Sequence, residues 1–114
     1  VTGVQTCALP ICLQDIHCAF GGLGYFPTYT LGNLYAAQLM DAARAALGGA
    51  DAVAGMFRRG EFTPLREWLR NGVHSHGQRY RAGDLCRHVT GKTLNPAAFL
   101  TYLKEKYGPL YGAW

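Results

Sequence analysis

Glycine and proline residues divide this chain into short segments. Their positions constrain the fold more than any other feature of the sequence. Proline fits the first turn of a helix, and glycine readily ends one. Between these residues, apolar side chains recur every three or four positions, which is the period of an amphipathic helix. No segment alternates apolar and polar residues long enough to predict a strand. The pattern therefore predicts an all-α fold.

The predicted helices have recognisable starts and stops. Thr63 and Asn95 are predicted N-caps, because each is followed by a proline that suits the first helical position. We expect Gly60, Gly91 and the pair Gly108-Pro109 to end the segments before them. The predicted helices span residues 28–47, 51–59, 64 towards 77, 84–90 and 96–107.

Length and composition favour one packed domain. The chain has 114 residues, of which 49% are apolar and 16% are charged, so it can bury a core and does not resemble a disordered chain. No apolar run approaches the roughly 18 residues that a membrane span needs. Eleven Lys and Arg residues against seven Asp and Glu give a formal charge of +4, but the basic residues are scattered. We therefore expect a soluble chain without a nucleic acid or membrane partner.

The first eleven residues show no pattern that is typical of a folded segment. Residues 1–11 carry no charge, show neither a helical nor an alternating period, and lack the basic start of a signal peptide. They resemble the conceptual translation of a sequencing adapter, with Cys12 at the junction. Four cysteines would suggest two disulfides in a secreted protein. We instead expect residues 1–12 to be non-native, and Cys18 and Cys86 to be ordinary thiols of an intracellular chain.

Three histidines raise the question of a metal site. His74 and His76 lie two residues apart, and side chains at that spacing on a helix point to different faces. They could bind one ion with His88 only if the helix had already ended near Gly77. The sequence contains no His-Glu-x-x-His motif, which a zincin centre needs. We therefore expect the chain to bind no metal by itself.

A turn-rich segment before the first long helix carries the side chains best suited to chemistry: Gln14, Asp15, His17, Tyr25 and Tyr29. A phenol can donate a hydrogen bond to a developing oxyanion, and an imidazole can bind or orient a substrate carbonyl or carboxylate. The alternative is that the tyrosines are half-buried core residues with satisfied hydroxyls, which the usual composition of interiors favours.

The residues from Tyr25 to Gln38, Tyr-Phe-Pro-Thr-Tyr-Thr-Leu-Gly-Asn-Leu-Tyr-Ala-Ala-Gln, closely resemble a signature of the carboxypeptidase Taq family of thermostable carboxypeptidases. Upstream, residues 11–18 are similar to the family's Gly-x-x-Gln-Asp-x-His-Trp, with Ile11 in place of the glycine and Cys18 in place of the tryptophan. The resemblance extends from residue 13 to about residue 112. Its downstream segments are residues 64–69, 74–77, 90–91 and 102–108.

The resemblance implies that residues 13–114 are the C-terminal part of the catalytic domain of a larger, mostly helical metallocarboxypeptidase. Such an enzyme is expected to be a cytoplasmic homodimer that removes single amino acids from peptide C-termini, with broad preference and poor action before proline. Its zinc, replaceable by cobalt, would be held by the two histidines of His-Glu-x-x-His and a later glutamate. These residues would lie upstream, so this fragment alone would hold no metal and would be inactive.

The resemblance also assigns roles to individual residues. Gln14, Asp15, His17 and Tyr25 would bind the substrate, while His17 and Tyr29 would be catalytic. The role of Tyr29 follows from the wider group of helical zinc peptidases, in which a tyrosine on a comparable late helix donates to the oxyanion. A rival interpretation is a small free-standing helical binding or regulatory domain without catalysis. A truncated enzyme would expose the apolar face of its first long helix, and a free-standing domain would not.

Overall fold

The computed structural model describes residues 21–22, 24–25 and 27–112, which form helices and turns. These described residues contain no strand, which confirms the predicted all-α class. The chain divides into two compact units, residues 1–31 and 32–114. The proposed adapter segment lies outside the described residues and stays a prediction. The α-helices are α1 (Pro27–Ala46), α2 (Ala50–Arg58), α3 (Thr63–Gly72), α4 (Ala82–Thr90) and α5 (Ala97–Tyr111), with a 3-10 helix at His74–His76.

The start of α1 is organised by a tight turn. The Tyr25 amide donates a hydrogen bond to the Gly22 carbonyl (3.0 Å), and the Thr28 amide donates to the Tyr25 carbonyl (3.0 Å). The Thr28 hydroxyl donates to the same Tyr25 carbonyl. Gly24 adopts a φ of 75°, which glycine tolerates because it has no Cβ. The helix therefore begins at Pro27, where the missing N–H would have no helical partner.

Two predicted helix boundaries at α3 are wrong. Thr63 is not an N-cap, because the Phe62 carbonyl already accepts a hydrogen bond from the Arg66 amide (3.0 Å) and Thr63 is itself helical. The helix also ends at Gly72 and does not continue towards Gly77, since Val73 leaves the helical region with φ −121° and ψ −61°. At α5 the N-cap residue is Pro96, one position after the predicted Asn95, and the Asn95 Oδ1 accepts a hydrogen bond from the Ala97 amide at 2.9 Å.

The predicted stop at Gly108-Pro109 is also wrong, because α5 continues through Pro109 to Tyr111. A proline normally disfavours helical backbone at the residue before it, through a clash with that residue's Cβ. Gly108 has no Cβ, so this clash is relieved. The helix ends instead at Gly112, which adopts a left-handed φ of 58°.

Few large apolar side chains in the described part of the chain are covered. The buried apolar residues there are Ala43, Val53 and Cys86, and Cys86 is a free thiol, as expected. Within residues 27–112, no helix has both the length and the apolar character needed to cross a membrane. Among the residues that the structure describes, the exposed large apolar or aromatic ones are Tyr25, Tyr29, Leu31, Phe57, Phe62, Leu100, Tyr102, Tyr107, Leu110 and Tyr111.

Gln38 is a buried polar residue that connects two parts of the described structure through its side-chain hydrogen bonds. Its side-chain amide nitrogen donates to the Thr90 hydroxyl (3.2 Å) and to the carbonyls of Lys92 (3.4 Å) and Thr93 (3.1 Å). Its amide oxygen accepts a hydrogen bond from the Asn95 backbone N–H at 3.2 Å. Because Gln38 is buried, these bonds replace the water it loses on folding. One side chain thus ties α1 to the turn between α4 and α5.

Candidate functional site

Tyr25 and Tyr29 form a contacting pair at the beginning of α1. Their rings meet edge to face, with centroids 5.3 Å apart and planes at 88°. The Tyr29 hydroxyl donates to the Tyr25 hydroxyl at 3.5 Å. Tyr25 is 46% exposed and Tyr29 is 55% exposed, so neither ring is a core residue in the described structure. Both rings are about half exposed and their hydroxyls contact each other, so the alternative of half-buried tyrosines with satisfied hydroxyls stays a prediction beside the substrate-binding one.

The pairing changes the acidity of one phenol. The pKa of Tyr29 is raised above its usual value, chiefly because its hydroxyl donates to Tyr25 and secondarily because of partial desolvation. A phenol is already protonated at neutral pH at its ordinary pKa, and the shift moves its pKa further from neutrality. Tyr29 therefore retains the proton that a hydrogen-bond donor to an oxyanion needs.

The other predicted site residues, Gln14, Asp15 and His17, lie outside the described residues. The structure therefore does not test whether they meet the tyrosine pair, and their roles stay predictions. Gln38 is a residue whose structural role the sequence analysis missed. A long polar side chain among the apolar positions of a predicted helix was the available signal, since a polar group there needs internal partners.

The histidines come together in a different combination from the one the sequence suggested. His76 and His88 contact each other, with ring centroids 5.0 Å apart and planes at 89°. The Tyr80 ring stacks on His88 at 5.2 Å and meets the edge of His76 at 5.4 Å. The cluster is thus an aromatic contact between the 3-10 helix and α4.

Comparison with known proteins identifies the family. The sequence profile of the carboxypeptidase Taq (M32) metallopeptidases matches residues 10–107. The chain belongs to the M32 family. Thermostable carboxypeptidase 1 of Thermus thermophilus is 49% identical over 100 residues, covering 88% of this chain and 19% of that protein. Carboxypeptidase 1 of Bacillus subtilis is 44% identical over 99 residues, and the match covers 87% of this chain and 19% of the Bacillus protein.

A solved structure supports the same assignment. The crystal structure of the M32 carboxypeptidase from Deinococcus radiodurans aligns with a TM-score of 0.67 and 44% identity. The alignment covers 75% of this M32 chain and 16% of that structure. The chain thus spans about a fifth of the length of the curated relatives it matches. The resemblance detected in residues 25–38 is confirmed at the level of the family.

The described part of this M32 chain does not fit the metal that a metallopeptidase family implies. Within residues 21–22, 24–25 and 27–112, no group of three or more His, Cys, Asp or Glu side chains is placed to bind an ion. Arg66 and Arg70 of α3 are exposed and form ion pairs with Glu67. A guanidinium nitrogen of each lies 3.2 and 3.9 Å, respectively, from a carboxylate oxygen of Glu67.

Proposed function

We propose that this M32 chain is the C-terminal part of a longer carboxypeptidase, the parent enzyme, which releases single amino acids from peptide C-termini. The observation that carries this proposal is the family match over residues 10–107, supported by 49% identity to a thermostable carboxypeptidase. Because the chain spans 19% of that relative, the activity is assigned to the parent enzyme and not to this piece alone.

In this proposal Tyr29 stabilises the negative charge that develops on the scissile carbonyl oxygen. Its hydroxyl is exposed and stays protonated, and its present acceptor is another exposed hydroxyl, that of Tyr25. When a peptide is bound, the Tyr29 O–H exchanges this acceptor for the carbonyl oxygen. The bond strengthens as the oxygen becomes anionic, so it lowers the barrier more than it stabilises the bound substrate.

The upstream segment supplies the complementary groups. We assign Gln14, Asp15 and Tyr25 to substrate binding, and His17 to substrate binding and to catalysis beside Tyr29. A neutral amide and a phenol can hydrogen-bond the peptide backbone, while an imidazole can orient the carbonyl that reacts. A carboxylate such as Asp15 can in turn fix the orientation of a neighbouring donor.

The remaining properties follow from the family and are part of the proposal. The parent enzyme would be a cytoplasmic homodimer with broad preference for the C-terminal residue. Its zinc, replaceable by cobalt, would be held by residues outside this chain, because this sequence contains no His-Glu-x-x-His motif. The described residues therefore contribute a wall of the groove and no ligand set.

The proposal is tested in a chimera: thermostable carboxypeptidase 1 of Thermus thermophilus with its matching region replaced by that of this chain. We expect Tyr29→Phe to lower kcat roughly tenfold to a thousandfold, because it deletes one donor to the oxyanion. KM and zinc content should change little. Steady-state kinetics on a peptide substrate and metal analysis of the purified protein give these quantities.

A matched control separates this effect from the loss of any phenol. Tyr107→Phe removes the hydroxyl of another exposed tyrosine, located on α5, and should leave kcat unchanged. An unchanged kcat in Tyr29→Phe would remove the oxyanion role. An equal loss in both variants would show that the hydroxyl of Tyr29 has no special part in the reaction.

A further inference from the structure

Thr28 contacts the backbone of Tyr25 through both its amide and its side chain. The Thr28 amide donates a hydrogen bond to the Tyr25 carbonyl at 3.0 Å, and the Thr28 hydroxyl donates to the same oxygen. A carbonyl oxygen has two lone pairs, so it can accept both bonds at once. The hydroxyl proton of Thr28 is therefore used within the turn and does not serve as a donor to a substrate.

The position of Tyr25 depends on this turn more than on a helix. Tyr25 lies two residues before the start of α1, and Gly24 directly before it has a left-handed φ of 75°. The Tyr25 amide donates to the Gly22 carbonyl at 3.0 Å. A second hydrogen bond to the Tyr25 carbonyl restricts the rotation of that carbonyl, because each donor favours its own lone-pair direction. The Thr28 hydroxyl thus limits where the Tyr25 ring can lie.

The Tyr25 ring in turn limits the conformations of Tyr29. An exposed side chain on a helix can adopt several rotamers, and Tyr29 is 55% exposed. Its ring meets the Tyr25 ring edge to face, with centroids 5.3 Å apart, which is a favoured arrangement of aromatic pairs. This ring contact does not use the Tyr29 O–H, so it can persist when that group turns from the Tyr25 hydroxyl to a substrate.

We propose that Thr28 is a positioning residue for the reaction: its hydroxyl orients Tyr25, and the Tyr25 ring orients the Tyr29 hydroxyl towards the scissile carbonyl oxygen. This inference rests on the proposed function, in which Tyr29 donates to that oxygen. A donor lowers the barrier most when it is oriented before the oxygen becomes anionic, because no rearrangement is then needed during the reaction. A misplacement of about 1 Å can slow a reaction roughly a hundredfold.

The alternative is that the Thr28 hydroxyl only stabilises the start of α1. Threonine commonly hydrogen-bonds to a carbonyl three residues earlier, and such a bond can be purely structural. The two roles predict different kinetics. A purely structural residue would affect the reaction equally with and without the Tyr29 hydroxyl, whereas a positioning residue would act only when that hydroxyl is present.

Substitutions at Thr28 in the chimera separate these roles. Thr28→Val removes the hydroxyl but keeps the branched shape, and we expect it to lower kcat roughly threefold to tenfold. Thr28→Ser keeps the hydroxyl and should retain at least about half of kcat. Added to Tyr29→Phe, Thr28→Val should lower kcat by less than about a further twofold, because the hydroxyl that it positions is already absent. Steady-state kinetics of the four variants give these ratios.

The titration of Tyr29 in the 114-residue chain tests the orientation of the pair without catalysis. The Tyr25 hydroxyl raises the pKa of Tyr29, so Thr28→Val should move that pKa back towards 10.0, and Thr28→Ser should leave it raised. Thr30→Val is the matched control, since Thr30 is also exposed but lies on a different face of α1. It should leave the titration unchanged. NMR spectroscopy with isotopically labelled tyrosine follows each phenol, and Tyr29→Phe identifies its signal.

The outcomes separate the inference from the proposed function. An equal loss of kcat on adding Thr28→Val with and without Tyr29→Phe would overturn the inference, and so would a loss in Thr28→Ser as large as in Thr28→Val. If Thr28→Val moved the titration but Tyr29→Phe left kcat unchanged, positioning by Thr28 would be supported and the proposed function contradicted. An unmoved titration together with a low kcat in Tyr29→Phe would do the reverse.

Discussion

The start and the middle of α1 carry polar side chains in opposite environments. Near its middle, Gln38 is buried, and its amide makes four hydrogen bonds to residues 90–95. At its start, Tyr25 and Tyr29 are about half exposed and share one long hydrogen bond of 3.5 Å. A buried amide with every group satisfied stabilises the fold, whereas an exposed phenol with a weak partner can exchange that partner for a substrate.

This contrast could not be obtained from the motif alone. Tyr25 and Gln38 are the first and last residues of the stretch that resembles the family signature, so the resemblance gives both the same weight. Burial separates them: Gln38 is buried, whereas Tyr25 and Tyr29 are about half exposed. The contrast predicts that substitutions at the two places change different quantities.

The largest effect is expected at Gln38, on the free energy of unfolding. Gln38→Leu removes four hydrogen bonds and leaves the Thr93 carbonyl and the Asn95 amide without their partner. We expect the free energy of unfolding of the chimera to fall by about 2–4 kcal/mol, because buried groups that lose their partners are costly. Urea denaturation measures this change.

Gln78→Leu is the matched control, since Gln78 lies in an exposed turn. It should change the free energy of unfolding by less than about 0.5 kcal/mol. If the two variants were equally stable, the hydrogen bonds of Gln38 would contribute nothing to the stability of the fold. The contrast between the middle and the start of α1 would then be lost.

A smaller effect is expected at the tyrosine pair. Tyr25→Phe removes the acceptor that raises the pKa of Tyr29, so that pKa should fall back towards 10.0. A pKa raised by folding gives a contribution to stability that is present below the ordinary pKa and is lost as the pH rises through the raised value. Ultraviolet absorbance of the phenolate in the 114-residue chain follows the titration.

Tyr111→Phe removes another exposed tyrosine, located at the end of α5, and controls for the total number of phenols. The titration of Tyr29 should not change in that variant. If Tyr25→Phe also left the titration unchanged, the contact between the two hydroxyls would not set the acidity of Tyr29.

Local features of the fold were predictable from the sequence, and long-range ones were not. The Asn95 side chain accepts a hydrogen bond from the first residue of α5, and glycines follow the ends of α1, α2 and α4, because these signals act within a few residues. The helix continued through Pro109 because Gly108 relieves the expected clash. Gln38 meets residues more than fifty positions away, and no local pattern specifies such a partner.

The candidate site was predictable to a similar extent. Tyr25 lies just before α1 and Tyr29 in its first turn, and the tight turn closed by the hydrogen bond from the Thr28 amide to the Tyr25 carbonyl brings their rings together. The contact of His76 with His88 depends on how α3, the 3-10 helix and α4 pack, so spacing in the sequence did not reveal it. Membership of the M32 family came from the residues of one signature stretch, which the family profile confirmed.

The most direct test of the central claim is the product that the chimera forms from a defined peptide. Mass spectrometry of a peptide with an unmodified C-terminus should show successive loss of single amino acids from that end, while the same peptide with a C-terminal amide should react far more slowly. Cleavage at internal bonds, or no cleavage by a folded chimera that contains zinc, would contradict the assignment of these residues to a carboxypeptidase groove.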